Sequence, residues 1–407
     1  MKLLTMAFRN IFRNKRRSVL SGVAILVATA SIILLFGFID GIKDDMKRNI
    51  VNFYLGQIRI RNAKYSEFEH LNPLLLGLQL EETLARLDSV SGIEVAAPRI
   101  PLPAGLIRDT EAGMLLQAVD FEAEKKLQHI ELYLKEGRLP SGPDAREIVV
   151  TSGIAKKLSL KVGEKITLLV QTRTGGSNAM TFLISGMLEY PVGMLNAGTA
   201  YIPLSVGQYL ARMDGTVTEV LVKLMPKTDE RAALASVRKV LGTDKGYEIK
   251  LWKDINEIYS FMEMAQGMYL FIALFFFVLA STVIVNTTLM VVYERLKEIG
   301  TLGALGMEAR DITGLFFIEA LIIAIVGAFA GAIVANLAGI PLSVYGIDFS
   351  NAMQGVSFEV SGVIRLSLSF ANTFFVFLYS VGISALAVLI PSRQAARIKP
   401  IEALRSL

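Results

Sequence analysis

The 407-residue sequence contains no cysteine and only two histidines, His70 and His129. Disulfide bonds are thereby excluded, and the usual His/Cys kind of zinc centre lacks a ligand set. The phosphate-cradling Gly-x-x-x-x-Gly-Lys-Ser/Thr run is missing. So are a Gly-x-Ser-x-Gly nucleophile elbow and a dinucleotide fingerprint after a strand. Arg173–Asn178 (Arg-Thr-Gly-Gly-Ser-Asn) is glycine-rich. It has no lysine and no following helix, and reads as the turn of a hairpin. No catalytic residue, metal ligand or cofactor site is expected in this chain, and ATP hydrolysis by the chain alone is not expected either. If it moves something against a gradient, the energy must enter through a partner.

What the chain does have is apolar residues, 53% of the total, with a mean hydropathy of +0.49. A bilayer crossing takes roughly 20 apolar residues. Four stretches meet that length: 18–39, 268–292, 312–340 and 367–390. Residues 40–267 mix charged and apolar positions and contain no such run. The net charge of +5 is unevenly spread. Lys2, Arg9, Arg13, Lys15, Arg16 and Arg17 precede the first apolar run with no acidic residue among them. Arg393, Arg397, Lys399 and Arg405 follow the last, against Glu402 alone. Residues 40–267 carry 28 basic and 29 acidic residues. That asymmetry puts both termini in the cytoplasm and the large middle segment outside. It also argues against nucleic acid as a partner.

Along the chain, residues 1–17 carry Leu3, Leu4, Phe8, Ile11 and Phe12 at near-helical spacing between basic residues. They predict a helix lying on the inner membrane face, in contact with lipid headgroups. The first span (18–39) holds Gly22, Ala24, Ala28, Ala30 and Ser31, small residues that let helices approach. Within 40–267 a β-α-β rhythm occurs twice, at about 53–100 and 216–252, around a β-rich insertion at 101–215, with stalk helices at the two ends. The second span (268–292) is rich in phenylalanine, which either packs a helix bundle or lines a greasy cavity. The third (312–340) carries Gly327-x-x-x-Gly331, a helix-contact motif, and Glu319, an intramembrane carboxylate. Glu319 reads either as a structural residue near the cytoplasmic side or as a proton or substrate site. Residues 341–366 form a short external loop, 367–390 the last span, and 391–407 a basic cytoplasmic tail.

Between the second and third spans, Val291–Met307 combines charge, apolar residues and glycine. Glu294, Lys297 and Glu298 share one helical face. Leu296, Ile299, Leu302 and Leu305 supply apolar contact, and Gly300, Gly303 and Gly306 permit close backbone approach. This is either an ordinary charged connection or a docking handle for a soluble protein.

The run Glu294-Arg295-x-x-Glu298-Ile299-Gly300-x-x-x-Ala304-Leu305-Gly306 resembles the signature of MacB/FtsX-like ABC permeases. The tail from Pro391 through Arg393, Arg397 and Pro400 to Arg405 resembles that family's P-x-x-x-A-A-R-x-x-P-x-E-A-L-R ending. Ala7–Ser18 is similar to its N-terminus. In the external segment Glu136–Leu139, Ile154–Leu158 and Val162–Ile166 echo the family's external domain. Gly56–Ile60 with Tyr65 looks closest to the lipoprotein-releasing LolC/LolE branch.

The resemblance implies a membrane α-helical fold of four transmembrane helices, with a large α+β extracytoplasmic domain inserted between helices 1 and 2. It implies that residues 293–311 are a coupling helix seated on an ATPase subunit through Glu294, Arg295, Lys297, Glu298, Ile299, Gly300, Leu305 and Gly306. ATP and Mg would then be bound on that partner dimer. A second permease chain, identical or different, is expected, together with a lipoprotein substrate, a periplasmic carrier and membrane lipids. Ile33, Phe36, Phe271 and Phe275 would bound an acyl-chain cavity. The location implied is the bacterial inner membrane. Two alternatives stay open. One is MacB-like efflux of drugs or peptides, although MacB carries a fused N-terminal ATPase and this chain starts almost at its first span. The other is an FtsX-like signalling permease acting on a cell-wall hydrolase, although such members have a smaller external domain.

Overall fold

The computed structural model describes residues 2–13, 15–71, 73–107, 109–242, 246–255, 307–349 and 360–396, with isolated positions between 267 and 301. The chain divides into two compact units. One comprises residues 1–43, 262–347 and 364–407; the other comprises 44–261 and 348–363.

The first unit is helical. An amphipathic helix, Lys2–Arg13, exposes Leu4, Phe8 and Phe12, and the Phe8 and Phe12 rings lie 5.0 Å apart. Three helices among the described residues are long and apolar enough to cross a bilayer. They fall within 18–55, 309–344 and 370–393. The fourth run, 268–292, lies mostly outside the described residues, though every described position from 267 to 290 is helical. A count of four crossings is therefore not established by these helices.

The helices pack through small residues. A side chain added at Gly327 would meet the Gly22 carbonyl at 2.7 Å, and one at Gly331 the Leu26 carbonyl at 2.6 Å. Helix Ala309–Val344 thus runs against Lys15–Asn49 at a distance that only a missing Cβ allows. Ala30, Ile32 and Ile33 close the contact with Ala332, Ala335 and Val376. Thr29 and Ser380, both fully buried, share a 2.7 Å hydrogen bond. The last helix, Phe370–Ala396, continues through Pro391, where the sequence suggested an end.

The second unit is built on a ten-stranded mixed sheet. Its strands are β1 (Ile58–Asn62), β2 (Ile93–Leu106), β3 (Asp109–Val119), β4 (Leu134–Gly137), β5 (Glu147–Thr151), β6 (Lys165–Gln171), β7 (Ser177–Leu188), β8 (Thr199–Pro203), β9 (Glu219–Leu224) and β10 (Tyr247–Leu251). The order is β10-β1-β9-β2-β3-β8-β5-β7-β4, and β6 pairs with both β2 and β7. Six strands, β2-β3-β8-β5-β7-β6, therefore close into a ring, which removes their free edges. Alternate residues point inward. Leu102, Leu116, Ile148, Leu168, Phe182 and Ile202 make up much of that core.

Strand β2 runs past residue 100, where the first β-α-β element expected from sequence ends, and forms a hairpin with β3. Pro101 and Pro103 lie within it. They fall after Arg99, the last residue paired with β9, and before Ala104, the first paired with β6. The strand has one neighbour there, so the absent N–H leaves no bond unmade. Helix Leu80–Leu87 and helix Glu230–Leu241 pack on the β10-β1-β9-β2 portion, giving two interleaved β-α-β elements. Asp229 caps the second by accepting from the Arg231 N–H.

Candidate functional site

The residues that carry the strongest motif lie beyond the structural description. Glu294, Arg295, Lys297, Glu298, Ile299, Gly300, Leu305 and Gly306 are outside the described residues, as are Arg397 and Pro400 of the tail. Pro391 is buried and Arg393 exposed on the last helix. Glu319 is 7% exposed. It shares the packed stripe of its helix with Leu315, Phe316, Ala324 and Gly327, so it faces neighbouring helices. Of the four residues read as cavity walls, Ile33 is buried in the helix contact and Phe36 packs against it, while Phe271 and Phe275 are exposed.

The structure points to a second location, where the first long helix enters the α/β unit. Helix Lys15–Asn49 passes directly into a π-helical turn, Ile50–Leu55. Such turns are rare and concentrate at functional sites. Gly56, at φ +62°, ends the turn, and a Cβ there would sit 2.8 Å from the Val222 carbonyl. Only glycine tolerates both conditions. The chain then enters β1, with the Gln57 N–H donating to the Val222 carbonyl at 2.8 Å and the Gln57 carbonyl accepting from the Trp252 N–H at 3.0 Å.

Three interactions fix this joint. The π turn drives Phe53 into an aromatic group, its ring centroid 5.5 Å from that of Tyr133 and 5.2 Å from that of Tyr190. Tyr133 and Tyr190 are 4.9 Å apart, and burial raises the pKa of both phenols. Beneath them Arg99 donates from Nη1 to the Phe53 carbonyl at 2.7 Å. The same guanidinium grips Glu124 through Nε at 2.6 Å and Nη2 at 2.9 Å. Asp120 places that glutamate, because it caps helix Phe121–Leu127 by accepting from Glu122 N–H at 2.9 Å. Burial acts to lower the Arg99 pKa, but the Glu124 charge and hydrogen bonds outweigh it and the net shift is upward.

Arg99 is also the end of a row of opposed charges. Across the strands Glu248 faces Arg61, Arg61 faces Glu219, and Glu219 faces Arg99. Arg61 donates to Glu219 from Nε at 2.8 Å and also binds Glu69, while its guanidinium lies 4.5 Å from the centroid of the Tyr65 ring. Alternation of sign between neighbours is what allows these groups to share one buried sheet face.

The third interaction involves the segment between the last two long helices. Asp45, Asn49 and Ser361 are 5%, 4% and 7% exposed. The Asp45 carboxylate accepts from Ser361 N–H at 2.7 Å, Ser361 Oγ at 3.0 Å, Asn49 Nδ2 at 3.0 Å and Arg48 Nη2 at 3.2 Å. Asn49 also donates to Ser361 Oγ at 3.1 Å. Ser361 in turn forms an antiparallel bridge with Val192, and Gly362 N–H donates to the Pro191 carbonyl at 3.2 Å. Residues 348–363, read from sequence as part of a simple loop, are thus built into the α/β unit.

Apart from Gly56, Gln57 and Tyr65, which carry part of the family resemblance, none of these groups was singled out by sequence reasoning. For Asp45 and Asn49 a signal existed, since their four-residue spacing puts them on one helical face. For Arg99 with Glu124 and for Ser361 there was none, because each partner is distant in sequence. The contacts of this joint are mostly buried and join the end of the first long helix to the strands and loops of the α/β unit.

Comparison with known proteins gives matches at both ends of the chain. A family model described as the MacB-like periplasmic core domain matches residues 18–240, and one described as the FtsX-like permease C-terminal matches residues 270–400. A lipoprotein-releasing system transmembrane protein LolC from Xylella fastidiosa strain Temecula1 is 26% identical over 324 residues, covering 76% of this chain and 77% of that one. A macrolide export ATP-binding/permease protein MacB from Campylobacter fetus is 24% identical over 416 residues, covering 98% of this chain and 60% of that protein. Among solved structures, the periplasmic region of MacB from Actinobacillus actinomycetemcomitans matches at 16% identity and a TM-score of 0.36, over 49% of this chain and 89% of that one.

Proposed function

Since this chain belongs to the MacB/FtsX-like family of ABC transporter permeases, we propose that it converts ATP hydrolysis on a separate subunit into movement of its α/β unit. The movement releases lipoproteins from the inner membrane for transfer to the outer membrane. The observation that carries this reading is the joint. A helix continuous from Lys15 to Asn49 ends in a buried, hydrogen-bonded junction with the strands of the α/β unit, an attachment that supports transmission of displacement. The LolC relatives favour lipoprotein as the cargo. On this reading residues 293–311 receive the ATPase, a second permease chain completes the assembly, and a periplasmic carrier accepts the lipoprotein. Both termini face the cytoplasm and the α/β unit faces the periplasm.

Depletion followed by membrane fractionation tests it. Lipoproteins should accumulate in the inner membrane, and normal sorting to the outer membrane would overturn the reading.

A second reading, export of drugs or peptides, is favoured by the MacB-like match over residues 18–240. It predicts copurification with a periplasmic adaptor in place of bound lipoprotein.

A further inference from the structure

The chain passes between its two units four times, not twice, because residues 348–363 belong to the α/β unit while the helices on either side do not. The described end of that segment, residues 360–363, is anchored in part by one carboxylate. Asp45 is nearly solvent-free, and all of its four donors come from two places: Arg48 and Asn49 on its own helix, and the backbone and side chain of Ser361. The next residues continue the attachment through the Val192 bridge and the Pro191 carbonyl. Pro191 and Val192 follow directly on Tyr190 of the aromatic group. Stalk end, aromatic group and inter-helix segment therefore meet within a few residues of one another.

We propose that Asp45 is the positioning residue that keeps residues 360–363 fixed to the α/β unit throughout the transport cycle, so that this segment acts as a further strut alongside the stalks. The contacts of this carboxylate with the buried Asn49 and Ser361 are costly to open, since those groups would lose a charged partner without gaining water, whereas Arg48, at 3.2 Å and largely exposed, adds less. On this proposal, displacement of the last long helix would pass along the chain through residues 364–369 to the anchored segment. The inference rests on the permease reading given above.

This chain has no cysteine, so introduced thiols are the only ones it carries, and the partner subunits are used in cysteine-free form. The complex of this chain with its ATPase and second permease subunit is placed in liposomes with a triacylated reporter lipoprotein. Asp45→Asn preserves the side-chain shape but removes the charge. Lipoprotein released per ATP hydrolysed should fall about fivefold or more, in the range of ordinary coupling energies, while ATP turnover stays close to wild type. An unchanged ratio overturns the proposal.

Asn49→Cys with Ser361→Cys, kept reduced, should lose the same ratio and regain it when a short bifunctional thiol reagent joins the two residues. A cross-link that halts release would show that the contact opens in each cycle, which also overturns the proposal. Spin labels at Leu132→Cys and Val363→Cys read the contact without any substrate. They should report one narrow distance with and without ATP, broadened by Asp45→Asn. A broad distribution in the unsubstituted background, or no change on Asp45→Asn, counts against the strut. If the wild-type complex hydrolyses ATP but releases no lipoprotein, the functional reading fails while the label distances still decide the role of Asp45.

Discussion

Arg99 and Glu124 form a two-pronged ion pair, at 2.6 and 2.9 Å, between side chains only 3% and 0% exposed. Nothing in the local sequence links a residue in mid-strand to one on a seven-residue helix 25 positions later. The pair matters because the third prong of the guanidinium, on the Phe53 carbonyl, reaches the turn that ends the first long helix.

Breaking that pair from one side leaves a buried charge uncompensated. Arg99→Met should destabilise the protein by about 3–5 kcal/mol, read by denaturation of the full chain in detergent. Adding Glu124→Leu should recover much of the loss. A double variant as unstable as the sum of the two singles would mean the pair is not coupled.

The aromatic group gives an independent handle on the joint. Phe53→Ala removes a ring packed edge-on against Tyr133 and Tyr190 and should cost about 3–5 kcal/mol. Leu132→Ala, at a position 73% exposed, serves as the neutral comparison in the same denaturation measurement.

In the helical unit, Gly331→Leu cannot be accommodated, because its Cβ would lie 2.6 Å from a backbone carbonyl that has no freedom to retreat. Folded protein recovered from membranes should drop sharply. Gly314→Ala, where an added Cβ meets nothing within 4 Å, should leave recovery unchanged.

Acid sensitivity has a local source at Glu147. Hydrogen bonds from Arg138, joined by the Ser141 N–H, hold its pKa down at about 2 against an ordinary 4.5. A depressed carboxylate pKa contributes stability above the unfolded value, and that contribution is lost as pH falls from about 4.5 toward 2. Arg138→Met should flatten the dependence of Tm on pH in that window. An equal slope in both proteins would show that Glu147 is not its source.

At the cytoplasmic motif, Glu298→Lys should abolish copurification of the ATPase subunit while circular dichroism and thermal unfolding of the chain stay as in the wild type. Retained copurification would remove residues 293–311 from the coupling role.

How much of this could be read in advance divides along the range of the interactions. The strand at Ile58–Asn62 and the helix at Glu230–Leu241 were visible because period-two and period-3.6 patterns are written locally. The Gly327 and Gly331 contact was visible as a motif, but its partner residues Gly22 and Leu26 were not. The insertion at 101–215 was read as β-rich, but the β2–β3 hairpin was not placed, because only the neighbouring strands show where Pro101 and Pro103 need no N–H. Ile33 lies in one buried cluster with Ala332 and Ala335, neighbours that the hydrophobicity of a single span does not disclose.

By itself the sequence determined that apolar runs long enough for a bilayer flank a near-neutral middle, and which family the cytoplasmic motifs resemble. These depend on composition and on residues close together in the chain. Only the tertiary structure decided that Asp45 takes hold of Ser361, 316 positions away, and that Arg99 serves both Glu124 and Phe53. A buried charge chooses its partner by what folding brings within about 3 Å, and that choice leaves no periodic trace along the chain.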